Sequence, residues 1–544
     1  MSETSKSTES DLPPEQSPET PSSKPGRWRL WLPLVLIALE AVGLVLLQYA
    51  RQAEWLPPAE IFLTQFSIVG AGTILLFLWF VFLSPASPTL RMRTGMAGVL
   101  LVALAALLVR PEGVTGDIHF RFNWRWAPRA DETLPDAASQ VADEVEVNLA
   151  ETTPNDYPQF LGPNRRATLF DVHLARDWSE APPKRLWRQP IGAGWSSFAI
   201  VGHWGVTQEQ RGDDELVTCY DIDTGELQWA HATPVRFEEL IAGVGPRATP
   251  TIDEGRVYTM GATGHVHCLD GATGKVIWHH DVVAETDATP PQWGKSCSPL
   301  IHENLVIVSA GAPGGKSLVA YNKNDGKLVW SAGDDPSSYA SPTMMTLCGQ
   351  PQIVMVNQSV TCGHDPADGH ILWTHAWPDV PAAGSPNVAQ PVAVGNDRIL
   401  LSKGYGVGST LWQIERDGGD WSVKPLWKRN TLKTKMTNAV VRDGFAYGLD
   451  EGTLSCIDIS NGRKKWKRRR YGHGQVLLVD DLLLVQSEDG QIALVEATPK
   501  RYNELARATV VDGQSWNYPA ISGDKLLVRS QLEAACYELP VVSP

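Results

Sequence analysis

Apolar residues follow two different rhythms along this chain. Up to Arg110 they form long runs, Trp28–Tyr49, Ile61–Leu83 and Gly95–Val109; beyond Asp156 they alternate with polar residues at every second position. The first two runs have the roughly 20 residues that a membrane-spanning helix needs. The third is shorter and leans on Arg93 and Arg110 to reach the headgroups. The alternating stretches read as half-buried strands.

Those strands come in copies. Gly264–Trp278 (GHVHCLDGATGKVIW) reads as a strand, a polar turn through Asp270, Thr273 and Gly274, and a second strand ending on Trp278. Asp closes such a turn by bonding its own backbone, Gly accepts positive φ, and Trp supplies a large apolar surface. Cys219-Tyr-Asp leads in the same way to Trp229, Ala320-Tyr-Asn to Trp330, Cys362 to Trp373 and Cys456-Ile-Asp to Trp466. Gln413-Ile414 to Trp427 is a stretched copy. The closing tryptophans recur every 40–55 residues or so, the length of a four-stranded propeller blade.

Counted by these hairpins, blades fall near 195–229, 245–278, 295–330, 338–373, 387–427, 435–466, 473–508 and 515–539, the last one strand short. Leu186-Trp187 matches a closing strand with no blade before it. Pairing it with the C-terminal strands shuts a ring and removes both free edges. The expected fold class is therefore all-β: an eight-bladed β-propeller closed by an N-terminal strand and preceded by a three-helix transmembrane region.

The remaining segments fill in the domain plan. Residues 1–26, rich in Ser, Thr, Pro and Glu, predict a disordered tail. The transmembrane region takes 27–110, a juxtamembrane segment and acidic linker 111–155, and the propeller 156–544. Within the linker, Phe120-Arg-Phe-Asn-Trp-Arg-Trp126 fits either an interfacial aromatic belt or a strand docked on the propeller. Lys24, Arg27 and Arg29 precede the first span, and Arg91 and Arg93 separate the second from the third, whereas the intervening loop carries only Arg51. Positive-inside counting thus predicts a cytoplasmic N-terminus and, after three crossings, a propeller in the periplasm of a bacterium with two membranes. The short third run decides the side. Glu40, inside the first span, reads as a polar contact within a helix bundle or as a proton relay.

Composition narrows the partners. A formal charge of −14 argues against nucleic acid, leaving inner-membrane lipid, an envelope protein or a small anionic ligand. Seven cysteines exclude a complete disulfide framework. Cys219, Cys268, Cys456 and Cys536 occupy matching repeat positions as small buried side chains, and a Cys348–Cys362 bridge stays open.

The DxxTGxxxW-type hairpins, Gly245-Pro-Arg-Ala-Thr-Pro250, Trp293-Gly294 with Ser298-Pro-Leu300, and Ala493-Leu-Val-Glu-Ala-Thr-Pro499 resemble the PQQ-repeat propellers of the quinoprotein alcohol dehydrogenase-like group, over about residues 156–540. The resemblance implies either of two activities. Dehydrogenases of that group hold pyrroloquinoline quinone (PQQ) and calcium in the central funnel, often beside adjacent cysteines, which this chain lacks; another branch binds protein and carries no cofactor. The expectation is a membrane-anchored, non-catalytic binding or assembly module. The alternative is a membrane-bound PQQ-dependent dehydrogenase passing electrons to the quinone pool.

Either activity points to the starts of the innermost strands, which converge on the channel. They supply Trp195, Ser196, Arg247, Thr249, Trp293, Lys295, Ser296, Tyr339, Asn387, Gln390, Lys435, Asn438, His473, Gln475, Trp516 and Asn517. Cations, amides and indoles together suit an anionic planar ligand, and equally suit plugging the channel and bonding exposed strand ends. No metal site is expected: His265 and His267 share a strand face but lack further ligands. Gly311–Ser317 imitates a phosphate loop without the helix such a loop needs. Lys464–Arg470 is a basic outer strand.

Overall fold

Most Trp hairpins dock on the next one, while Trp373 donates within its own blade to Gln352 Oε1 at 2.7 Å. In the computed structural model, which describes residues 28–52, 58–141, 146–170, 172–377 and 386–542, the Trp229 indole donates to Gly271 O at 2.9 Å. Trp278 donates to Lys323 O at 3.1 Å, Trp427 to Ile459 O at 2.8 Å and Trp466 to Thr498 O at 2.8 Å. Each acceptor lies in the turn of the following blade, and the turn glycine lies flat on the incoming indole. A Cβ on Gly274 would stand 2.6 Å from Trp229, and one on Gly326 2.9 Å from Trp278. Both glycines also have positive φ, 69° and 72°, so the position requires glycine twice over.

Eight sheets arise this way. Seven are built from consecutive strands, the first from Ala199–Val201, Trp204–Arg211, Asp214–Asp221 and Leu227–Thr233, the second from Thr251–Asp253 to Val276–Asp281. The eighth combines Ala520–Ser522, Lys525–Arg529 and Glu533–Glu538 with the N-terminal strand Lys184–Pro190. Cys536 faces Trp187 in that seam, just as Cys219 faces Trp229, Cys268 Trp278, Ala320 Trp330 and Cys456 Trp466. The small residue leaves room for the indole across the strand pair. In the fourth blade that partner is Gly363, one residue beyond Cys362. All seven cysteines are free, so no Cys348–Cys362 bridge forms.

Apolar cores lie between neighbouring blades, and the largest joins the sixth, seventh and eighth blades to the first. The chain before Lys184 laces the assembly. Tyr157, fully buried, bridges to Ile200 of the first blade, and Thr168–Leu169 adds a parallel strand to the seventh. The Arg165 guanidinium donates to Ser298 O and Pro299 O near the third blade.

The helices are α1 (Trp28–Gln52), α2 (Pro58–Leu83) and α3 (Pro88–Leu108), each long and apolar enough to cross a membrane. Contacts separate this helical unit from a second one holding everything from Leu107 onward. The third helix is longer than its apolar run because Ser87 caps it and Pro88 starts it. Glu40 packs against Gly72, where a Cβ would meet its carboxylate at 2.5 Å. The tail expected at 1–26 lies outside the described residues.

Parts of the juxtamembrane segment and linker expected at 111–155 pack against the propeller. Strands β1 (Val109–Val114) and β2 (Phe120–Trp124) form an antiparallel hairpin with a bulge between Pro111 and Gly113. Val147 and Leu149 are buried, and Asp131 accepts from Arg236 at 2.7 Å. The hairpin aromatics Phe120, Phe122, Trp124 and Trp126 stay exposed.

Candidate functional site

The inner strands begin with polar residues that stitch the blades into a belt. Ser197 N donates to Thr249 Oγ1 (3.2 Å), Thr249 N to Ser298 Oγ (2.9 Å), Ser298 N to Ser341 Oγ (2.9 Å), Ser341 N to Gln390 Oε1 (3.0 Å) and Gln390 N to Asn438 Oδ1 (2.6 Å). Tyr518 OH closes the series on Asn438 N at 2.7 Å. From Thr249 to Asn438 each side chain satisfies a backbone N–H of the preceding blade that the sheet leaves unpaired, whereas Tyr518 of the eighth blade reaches across to the sixth.

Beside this belt lies a cavity of about 560 Å³, whose lining includes Trp195, Arg247, Thr249, Trp293, Ser296, Gln390, Lys435, Asn438, Gln475 and Trp516. The sequence brings these together because each sits at or just before the start of an inner strand. Their chemistry is largely engaged already. Arg247 donates to Ala242 O at 2.9 Å and Gly243 O at 3.2 Å, and stacks 4.3 Å over Phe237. Gln475 Nε2 donates to Trp516 O at 2.6 Å, and Ser296 Oγ to Tyr339 O at 2.9 Å. Trp195 and Trp516 have ring centroids 4.5 Å apart, and Trp293 stacks on Tyr339 at 5.4 Å.

Five expected residues lie outside that lining, among them Ser196, whose hydroxyl donates to Ser197 O at 3.1 Å. Lys295 turns back between blades, its ammonium on Ala310 O at 2.5 Å and Ser337 Oγ at 3.1 Å; burial lowers its pKa to about 8. Asn387 donates to Asn357 O at 2.6 Å, and Asn517 to Ser196 O at 2.7 Å. His473 sits at the mouth, on a partner the sequence reading missed.

That partner is the tip of the β1–β2 hairpin. Lys435 Nζ donates to Gly116 O at 2.6 Å, Gly116 N donates to Glu488 Oε1 at 2.6 Å, and Gln514 Nε2 donates to Val114 O at 3.0 Å. Asp117 pairs with Arg470 and stands 3.1 Å from His473 Nε2. Burial works to raise the Asp117 pKa, but the hydrogen bond and charge of His473 and Arg470 hold the carboxyl well below the usual carboxylate range. Burial lowers the pKa of Lys435 against the pull of Glu451, Asp117 and Glu488.

The cavity's other unforeseen walls are Phe160, Met436, Tyr518 and Tyr405. Tyr405 carries φ 57°, a strained value for an aromatic, in the glycine-rich turn Gly404–Gly408. Lys435 lies 5.0 Å from its ring. The Gly311–Ser317 stretch is a hairpin turn, Ala312 opposite Lys316.

Among the described residues no group of three or more His, Cys, Asp or Glu side chains stands where it could hold a metal ion. His265 Nδ1 and His279 Nε2 are 2.9 Å apart, and His267 packs between His231 and His279. Burial, then the neighbouring imidazoles, lower the His267 pKa to about 3.

Residues 213–468 match the family described as outer membrane protein assembly factor BamB. The quinohemoprotein alcohol dehydrogenase ADH-IIG of Pseudomonas putida is 23% identical over 347 residues, 59% of this chain and 40% of the relative. The outer membrane protein assembly factor BamB of Moranella endobia is 22% identical over 263 residues, 46% of this chain and 64% of its own. That of Yersinia pestis is 23% identical over 324 residues, covering 55% and 79%. The chain thus spans less than two thirds of the first two relatives. The solved structure of ADHIIG from Pseudomonas putida HK5 superposes with a TM-score of 0.50 at 12% identity, over 72% of this chain and 81% of that one, a likeness of fold. With its Trp-Gly repeat, its ring of eight blades and these matches, the chain is an eight-bladed β-propeller whose repeats are similar to those of the PQQ-repeat, quinoprotein alcohol dehydrogenase-like proteins.

Proposed function

We propose that this chain is a membrane-anchored, non-catalytic binding or assembly module, with its N-terminus in the cytoplasm and its propeller in the periplasm. The observation that carries the reading is the Thr115-Gly116-Asp117 tip seated in the funnel mouth, where Lys435, Glu488, Arg470 and His473 bind a segment of polypeptide. The assembly-factor relatives support the same role.

The dehydrogenase alternative draws on the indole pair Trp195 and Trp516 and on the alcohol dehydrogenase relatives. The residues present do not fit its cofactors. Calcium needs several oxygen ligands, yet among the described residues the cavity lining carries no carboxylate. Glu488, at the mouth, already accepts from Gly116 N, Trp516 Nε1 at 3.0 Å and His473 N at 3.0 Å. Arg247 and Lys435, the cations that would meet the carboxylates of PQQ, are spent on backbone carbonyls.

Three helices long and apolar enough to cross a membrane, with Arg91 and Arg93 near the start of α3, support this orientation. Arg91 binds Val81 O and Phe82 O there, both at 2.6 Å. Adding PQQ and calcium to the purified protein tests the reading through the quinone spectrum, dye-linked oxidation and thermal midpoint. No retained chromophore and no shift are expected. A bound chromophore with activity overturns it.

A further inference from the structure

The β1–β2 hairpin meets the funnel through a set of polar contacts at its tip, with Val114 and Ile118 on the cavity wall beside them. Three of the four positions from 114 to 117 are read: the carbonyl of Val114 by Gln514, both backbone groups of Gly116 by Lys435 and Glu488, and the carboxylate of Asp117 by Arg470 and His473. Glycine is selected by space, since a Cβ at 116 would stand 2.1 Å from the His473 ring. Outside the tip the hairpin buries little: Phe122 is 64% and Trp124 53% exposed. A segment held chiefly by charge-assisted hydrogen bonds, with Val114 its one buried apolar side chain and Ile118 beside it on the cavity wall, is one that a second segment of the same chemistry replaces.

We propose that the funnel mouth is a docking site for an extended peptide segment of a protein partner bearing glycine followed by an acidic residue, and that Thr115–Ile118 is its occupant in cis. The inference rests on the reading of the propeller as a binding module. A tethered occupant competes at an effective concentration in the millimolar range. The free partner segment therefore binds weakly until the cis copy is displaced, and its apparent affinity scales with the open fraction.

Fluorescent Val-Thr-Gly-Asp-Ile-His peptide, titrated into the full chain in nanodiscs, is the test. Gly116→Val expels the cis tip and is expected to bind the probe at least tenfold more tightly than the wild type. Asp117→Asn, which keeps the number of heavy atoms, is expected to gain at least threefold. Arg470→Gln in either background, or a probe with Asn in place of Asp, is expected to lose the gain. Equal or absent probe binding in wild type and variants overturns the proposal, as does displacement of the probe by succinate at the same concentration as by peptide. Loss of the native thermal transition in both Gly116→Val and Asp117→Asn overturns it too, because the tip is then a structural part. The peptide titration is read independently of the quinone spectrum, so failure of one proposal is distinguishable from failure of the other.

Discussion

Asp117 and His473 lie 356 positions apart in sequence and 3.1 Å apart in space. One belongs to a hairpin that begins where α3 ends; the other stands just before the innermost strand of the seventh blade. Their contact makes part of the juxtamembrane segment a wall of the funnel mouth.

The rim lock predicts a sharp intolerance at the turn glycines. Gly326→Val places a side chain against Trp278 at a φ of 72°. It is expected to cost about 2–4 kcal/mol, from left-handed strain together with overpacking. Chemical denaturation checks this, and Gly314→Val, at a turn with no neighbour within 4 Å of the added Cβ, serves as the comparison with a smaller loss.

The ring is expected to open at its seam. Trp187 donates to Ile222 O at 2.8 Å and holds the only N-terminal strand in the eighth blade. Trp187→Ala should speed amide hydrogen exchange in Glu533–Glu538 well before other blades respond, whereas Trp330→Ala should leave that strand protected.

Glu215 carries a distinctive pH dependence. Burial raises its pKa to about 7, against the pull of the Ala262 backbone N–H and of Arg247. The folded state therefore keeps a proton that the unfolded chain releases above about 4.5, so stability falls as pH rises from there to about 7. Glu215→Gln keeps the acceptor for Ala262 N and removes the ionisation. It is expected to stabilise on the order of 2–3 kcal/mol more at pH 8 than at pH 4.5, read from denaturant midpoints at the two values.

His267 acts in the opposite direction. Its folded pKa of about 3 lies below the ordinary 6.5, so the unfolded chain takes up a proton first as pH falls. Stability is full above 6.5 and is lost between there and about 3, by at most about 1.4 kcal/mol per pH unit. His267→Phe should flatten that part of the acid profile in thermal melts.

The blades, their number and the N-terminal clasp were legible because each rests on a local signal, an indole and a turn glycine at fixed spacing. Channel-facing residues were legible only by position. Thr249, Gln390 and Asn438 do reach the funnel, but the belt of backbone N–H groups that consumes them depends on the neighbouring blade. Lys295 has the same sequence context as its neighbours, yet turns to Ala310 O. The tip was hidden for a different reason: Thr-Gly-Asp after an apolar run reads as a linker, and its partners, Lys435 to Gln514, lie more than 300 residues away. The one local clue was glycine beside an acid between two short alternating stretches.

An experimental density map of the full chain in lipid nanodiscs tests the central claim most directly. It should show Gly116 O on the Lys435 ammonium and the Asp117 carboxylate between Arg470 and His473. A funnel open to solvent with the hairpin packed elsewhere, or one holding a quinone and calcium in that place, would contradict it.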